Sequence, residues 1–317
     1  MKILIAGGSG FIGTHLSKRL LDDGNEIICV DNLLTSSEKN IEELKSNPHF
    51  KFIHHDVTIP LPDDIGSDVV FHLASPASPN HHSKISYHAL PMQTMMVNTI
   101  GTLELLKFAE RNNSKFLFAS SSEAYGEPLE HPQKEEYRGN VSTTGKRSVY
   151  DESKRFGETL TAYYFRDKNL DTRIARIFNT YGPGMNKDDL RMIVRFIMQA
   201  LKNEPITVFG DGSQTRSLCY IDDLIEGLVK LMFSDNTKGR IVNLGNPEEH
   251  TVKEFAEIVM KLTNSNSDII FSEDLPEDDP MRRQPDITKA KTLLLWEPKV
   301  ALSDGLTKMI EHIKTII

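Results

Sequence analysis

Tyr150 and Lys154 are the residues whose types and spacing most directly suggest chemistry. Four apart at the start of an apparent helix, they project from one face. A free phenol titrates near pH ~10, and an adjacent ammonium stabilises the phenolate and lowers that value. A tyrosine so placed is a base for a substrate hydroxyl. The same spacing also arises by chance as an exposed helical pair, so its surroundings decide. Ser120, Ser121, Ser122, Glu123, Ala124, Tyr125 and Gly126 follow the apolar run Phe116 to Ala119. That run reads as a strand, which delivers these side chains to the carboxyl edge of a sheet, where open α/β folds bind ligands. The bland alternative is a polar turn after a strand.

A second group of residues is suited to holding a dinucleotide. Gly7-Gly8-Ser9-Gly10-Phe11-Ile12-Gly13 directly follows the apolar run Ile3 to Ala6 and opens a helix. Gly7 allows the tight turn, Gly10 lets backbone approach a pyrophosphate, and Gly13 permits close helix packing. Asp31 ends the second strand, where a carboxylate accepts from the adenosine ribose hydroxyls and repels a 2′-phosphate; NAD is therefore favoured over NADP. Asn32 adjoins it, and Asp56-Val57, after the third strand, are weaker candidates for contacting adenine.

Positioning these groups requires a parallel sheet. Short apolar runs (Ile3 to Ala6, Glu26 to Val30, Phe50 to His54, Asp68 to His72, Lys115 to Ala119) alternate with amphipathic stretches such as Phe11 to Asp23 and Pro91 to Arg111. That rhythm means βαβ units. The expectation is an α/β fold, a Rossmann-type doubly wound parallel sheet with a smaller C-terminal α/β lobe. We place the dinucleotide-binding domain at 1–180, with segments near 213–240 and 285–297 returning to it, and the substrate lobe mainly at 181–317. In that lobe we expect helices at about Leu190 to Lys202, Ile221 to Phe233 and Val252 to Leu262, strands at Thr207 to Phe209 and Ile241 to Leu244, and an acidic loop Glu273 to Asp279.

Composition sets outer bounds. With 38% hydrophobic and 26% charged residues the chain can bury a large core, and a net charge of −8 without a basic block argues against nucleic acid as a partner. Cys29 and Cys219 are too few for a disulfide framework and suggest buried thiols. Met1 leads straight into the first strand and no apolar run reaches membrane-spanning length, so a cytoplasmic protein without a membrane partner is expected. His81, His82 and His88 lie close in sequence, but no acid or cysteine accompanies them at ligand spacing, and no metal is expected.

Taken together, the glycine turn, Asp31, the serine-rich turn with Tyr125-Gly126, and Tyr150/Lys154 resemble the extended short-chain dehydrogenase/reductase family. Within it the chain looks most like the UDP-glucuronate decarboxylases (UDP-xylose synthases). The matching segments include Leu73 to Pro79, Asn98 to Thr102, Ala175 to Thr180, Gly212 to Arg216, Asn243 to Thr251, and Asp278 to Pro280 with Arg283 to Asp286. The resemblance implies NAD as cofactor and a nucleotide sugar as substrate, with Leu73, Ala74 and Asn98 toward the cofactor and Ser75, Ser122 and Val208 toward the substrate. Ser121 would hold the sugar hydroxyl, Tyr150 would be the base, Lys154 would hold Tyr150 and the nicotinamide ribose, and Glu123 and Arg283 would serve decarboxylation. Asn179 and Arg216 would face the diphosphate, with Arg191 a further candidate, and Arg147 would meet a carboxylate. A homodimer built on helices around 91–111 and 149–168 is also implied.

The related 4,6-dehydratases carry an aspartic acid where this chain has Ser122, and the 4-epimerases typically lack an acid at Glu123; both differences favour decarboxylation. The chain departs from the decarboxylase pattern in four places. The loop between Pro79 and Pro91 is longer and lacks Tyr-Asn-Pro, Met96 replaces a lysine, Gly184 replaces an arginine, and Ser142-Thr143 replace Asn-Pro. A 4-epimerase or dehydratase on the same scaffold, and a catalytically silent NAD-binding protein, are the alternatives.

Overall fold

A computed structural model describes residues 1–275 and 279–317. Strand β1 (Lys2–Ala6) leads through helix α1 (Phe11–Asp22) to β2 (Glu26–Asp31), β3 (Phe50–His54) and β4 (Val69–His72). A long helical stretch follows: α2 (Pro91–Met96) and α3 (Thr102–Asn112), joined by a π-helical turn over Val97–Gly101. Then come β5 (Lys115–Ser121), α4 (Ser148–Lys168) and β6 (Thr172–Ile177). All these strands pair in parallel. Val69, Val70, Phe71, Phe116 and Leu117 are buried, as central strands covered on both faces require.

The second half contributes β7 (Thr180–Tyr181), α5 (Met192–Leu201), β8 (Ile206–Phe209), β9 (Thr215–Ser217), β10 (Cys219–Tyr220), α6 (Ile221–Phe233), β11 (Ile241–Leu244), β12 (Glu249–Thr251), α7 (Val252–Thr263), β13 (Ile269–Glu273), α8 (Thr288–Leu294) and α9 (Leu302–Lys314). The large sheet has seven strands in the order β11-β6-β5-β4-β1-β2-β3. Its last member, β11, pairs with β6, so the chain's return to the first domain extends beyond residue 240. The smaller lobe is built from α5, α7 and α9 with short strand pairs. Two boundaries differ from expectation for local reasons. Leu190 takes a left-handed φ of 57°, so α5 begins at Met192. Glu273, expected in a loop, closes strand β13, which pairs with β8 and whose exposed Ile270 and Phe271 give no burial pattern to read.

The strand order reverses at β1, whose neighbours are β4 and β2. Chain connections leave on opposite sides there, and a crevice opens at the carboxyl ends. The glycine turn after β1, Asp31 at the end of β2, Leu73 after β4 and Ser121 at the end of β5 all reach that edge. Gly7 is locally decisive: its φ is +79°, and a Cβ there would sit 2.6 Å from the Ala74 backbone nitrogen. A Cβ on Gly13 would collide with the Gly7 carbonyl, so α1 packs against the turn only because that residue is glycine.

Candidate active site

One half of the crevice, a cavity of about 320 Å³, is lined by Gly7, Gly10, Asp31, Asn32, Asp56, Val57, Leu73, Ala74 and Ser75. The Asp31 carboxylate accepts from Ser9 N–H at 3.1 Å, Leu33 N–H at 2.9 Å and the Ser36 hydroxyl at 3.0 Å. A carboxylate offers roughly four acceptor positions, so it is fixed in place yet still has room for a ligand hydroxyl. Asp56 takes hydrogen bonds from Thr58 and Asn32. Burial works upward on its pKa, but these bonds outweigh it and the net shift is downward. A tight glycine turn, the open start of α1 and an anchored aspartate suit the pyrophosphate and ribose of a dinucleotide.

The other half, about 230 Å³, is lined by Gly10, Phe11, Ile12 and Gly13 together with Ser75, Ser121, Ser122, Glu123, Tyr150, Lys154, Asn179 and Arg191. Tyr150 and Lys154 are buried on the first turns of α4, with the Lys154 ammonium 5.7 Å from the Tyr150 ring centre. That ammonium donates to the Ala119 carbonyl at 2.8 Å, which leaves donors for a ligand. Burial pushes Tyr150 up to about 12, opposed by a hydrogen bond with Ser121 and by the Arg191 guanidinium. Burial also brings Lys154 down to about 7, opposed by Glu158. The same low-dielectric pocket acts on both groups and disfavours the charged form of each.

Beside Tyr150 lies a cluster of charges. Glu123 accepts from Arg147 at 2.6 Å and from Arg283 at 3.2 Å. Arg147 also donates to Asp279 at 3.1 Å, and Arg216 donates to the other oxygen of Asp279 at 2.8 Å. Arg283 further donates to the Ser122 carbonyl. Burial works upward on Glu123, but the Arg147 and Arg283 guanidiniums outweigh it and hold its carboxyl well below the usual carboxylate range. Glu123 is therefore an anion at neutral pH and not a resting proton donor. Arg147 and Arg216, together with Asn179, Arg191, His81 and Phe209, face a further cavity of about 150 Å³.

A model of the NAD dependent epimerase/dehydratase family matches residues 3–245. The chain belongs to that family. It is 48% identical over 314 residues to UDP-glucuronic acid decarboxylase 2 of Arabidopsis thaliana, covering 99% of this chain and 68% of the relative. It is also 48% identical to UDP-glucuronic acid decarboxylase 1 of Danio rerio, covering 98% and 72%. Among solved structures, UDP-glucuronic acid 4-epimerase from Bacillus cereus, in complex with UDP-glucuronic acid and NAD, superposes with a TM-score of 0.88 at 31% identity, covering 100% of both chains.

Several expected site residues lie elsewhere. Asn98 is fully buried and lines neither half of the crevice; its side chain donates to Ser153 at 3.0 Å and ties the π turn to α4. Val208 is fully buried in the core of the smaller lobe, and its neighbour Phe209 faces the cavity instead. Side chains alternate along a strand, so the apolar partner Ile206 was the available signal. Arg283 is only 2% exposed and lines none of these cavities; it stands behind Glu123 and is not a solvated surface cation. Of the acids that a surface role would have paired with it, Glu277 and Asp278 lie outside the described residues. An acid does meet the histidines: Glu273 comes within 3.7 Å of His81 and 3.3 Å of His82, from a strand 191 residues beyond His82, so spacing in sequence gave no hint of it. All three are exposed. The loop between Pro79 and Pro91, which the resemblance places beside the sugar, brings Tyr87 onto the ring of Tyr150.

Proposed function

We propose that this protein binds NAD in the crevice and converts UDP-glucuronate to UDP-xylose by decarboxylation. The observation that carries this reading is the Glu123 carboxylate held between two buried arginines next to Ser121 and Tyr150. The 48% identity to decarboxylases over 314 residues supports it.

Oxidised NAD would be held by the Gly7–Gly13 turn, Asp31 and Lys154, and when bound would supply a reversible hydride acceptor and a positive charge. Ser121 holds the sugar 4-hydroxyl and Tyr150 takes its proton, its phenolate favoured by that added positive charge. A ketone at carbon 4 lies β to the carboxylate on carbon 5. The bond between carbons 5 and 6 then breaks, its electron pair passes to the ketone oxygen as an enolate, and carbon dioxide leaves. Donors around Ser121 and Tyr150 stabilise that oxygen, carbon 5 gains a proton, and carbon 4 is reduced before release. Glu123 stays charged throughout. Its anion opposes retention of the substrate carboxylate in water-excluded surroundings and holds Arg147 and Arg283 in place. Asn179, Arg191 and Arg216 line the space for the diphosphate.

A 4-epimerase acting on the same sugar nucleotide is the second reading, favoured by the superposition on the Bacillus cereus enzyme. Incubation with UDP-glucuronate and NAD⁺ separates the two. Decarboxylation yields carbon dioxide and a UDP-pentose, whereas UDP-galacturonate without carbon dioxide overturns the decarboxylase reading.

The protein is proposed to act as a homodimer. Met92, Met96 and Ile100 recur every fourth residue along α2 and the π turn, beside Phe156 and Tyr163 on α4, and all are exposed. Leu106 and Tyr164, in contrast, belong to the core. Met96→Glu with Phe156→Glu is expected to halve the mass measured by sedimentation equilibrium. No helix among the described residues is long and apolar enough to cross a membrane.

A further inference from the structure

His81 and His82 stand in the segment between Pro79 and Pro91 that departs from the decarboxylase pattern, and the chemistry described above makes no use of them. Their loop is held by its own anchors. Ser78 donates to the Asp189 carbonyl at 3.0 Å, Asn80 to the Leu190 carbonyl at 2.5 Å, and Ser83 to the Asp188 carbonyl at 2.7 Å. His82 N–H in turn donates to Asn80 Oδ1 at 2.9 Å. Glu273 arrives from the other side, on β13. The pairing of that strand with β8 is carried on by Gly210 N–H, which donates to the Glu273 carbonyl at 2.8 Å. Two segments that are fixed independently therefore bring two imidazoles and a carboxylate together.

The distances among the three suit a small ion. The two imidazole rings lie with centres 4.0 Å apart, and Nε2 of His81 and of His82 approach the same Glu273 oxygen, Oε2, at 3.7 Å and 3.3 Å. One ligand atom from each residue lies within 4.8 Å of the other two. A tetrahedral ion with bonds of about 2.0–2.2 Å sets its ligands roughly 3.3–3.6 Å apart. The two histidine–carboxylate separations are already close to that edge, and exposed side chains close the remainder by small rotations. Imidazole selects among cations: two nitrogens and a carboxylate suit zinc and its neighbours, whereas magnesium and calcium take oxygen ligands.

We propose that His81, His82 and Glu273 form a binding site for a divalent transition-metal ion of the zinc class, which ties the loop after β4 to β13 of the smaller lobe. Three protein donors leave a coordination position for water. The ion acts as a clamp on the wall of the cavity that Arg191 and Arg216 face, because His81 lines that cavity and its ring lies 6.1 Å from the ring of Phe209. Neither NAD nor a sugar takes part in the coordination, so this inference stands apart from the proposed function.

The full chain, without an affinity tag and stripped of metal by a chelator, is titrated calorimetrically with zinc chloride. The expected result is one ion per chain with a Kd on the order of micromolar, weakened roughly tenfold or more in His81→Ala, His82→Ala and Glu273→Gln, and no binding of magnesium chloride. Saturating zinc should raise the melting temperature of the wild type and leave that of E273Q unchanged. All three side chains are exposed, so the metal-free variants should melt with the wild type. X-ray absorption at the zinc edge of the wild type needs no variant, and should show two imidazoles and no sulfur around the ion. Absence of saturable zinc binding overturns the proposal, as does affinity kept within about twofold in all three variants or an ion surrounded by fewer than two imidazoles.

Discussion

The dinucleotide cradle and the arginine–carboxylate corner lie a few residues apart in space but are built in opposite ways. The cradle comes from short runs at the ends of β1, β2 and β4, and its principal parts are backbone: a left-handed Gly7, the open start of α1, and Asp31 fixed by two N–H groups and a hydroxyl. The corner draws Glu123, Arg147, Arg216, Asp279 and Arg283 from positions up to 160 apart, and its parts are side chains that hold one another. A site made of backbone tolerates loss of a single side chain. A mutually paired charge cluster does not, because each deletion leaves an uncompensated buried ion.

The largest effect is expected where the two regions meet. Tyr150→Phe removes the base and should lower turnover by about a thousandfold, with NAD affinity nearly unchanged when measured by calorimetry. Turnover retained within tenfold would mean that neither region is organised around this phenol.

Glu123→Gln tests the corner. Carbon dioxide release should fall about a hundredfold, and stability should change in a pH-dependent way. The folded-state pKa of Glu123 lies below its unfolded value, so its contribution is present at neutral pH and fades as pH falls below the ordinary carboxylate range. Urea midpoints of wild type and variant should therefore differ at pH 7 and converge as pH falls from the ordinary carboxylate range toward about 2; a constant gap would show that the pairing with Arg147 and Arg283 adds nothing.

Asp31→Ala tests the cradle. KM for NAD should rise about tenfold and preference over NADP should narrow, with the melting temperature little changed. A collapse in stability comparable to that of a corner variant would erase the contrast between the regions.

The smallest effect separates neighbours on one strand. Phe209→Ala should raise KM for the nucleotide sugar a few-fold with little loss of stability, whereas Val208→Ala should cost about 1–3 kcal/mol in urea denaturation with KM unchanged. The reverse pattern would put Val208 back at the substrate.

The contrast between the regions also explains what was legible in advance. Gly7, Gly10, Gly13 and Asp31 could be placed because a turn, a helix start and a strand end are local features, encoded within a few residues of the atoms they position. The pairing of Tyr150 with Lys154 was legible for the same reason, being one turn of helix. Lines of sight between distant segments were not. That Arg283 stands behind Glu123 and that Glu273 reaches His81 and His82 depend on how the smaller lobe seats against the sheet, while the bracing of α4 by Asn98 and the stacking of Tyr87 on Tyr150 depend on how distant segments of the sheet domain pack on one another.

By itself the sequence determined the parallel sheet, the crevice at its carboxyl edge and the residue types gathered there, because hydrophobic periodicity and glycine geometry act over short stretches of chain. Only the tertiary structure decided the ionisation of those groups. Burial raised Tyr150 and lowered Lys154, while two arginines from remote segments fixed Glu123 as an anion. Desolvation and Coulomb interactions depend on distance through space, and no spacing along the chain encodes it.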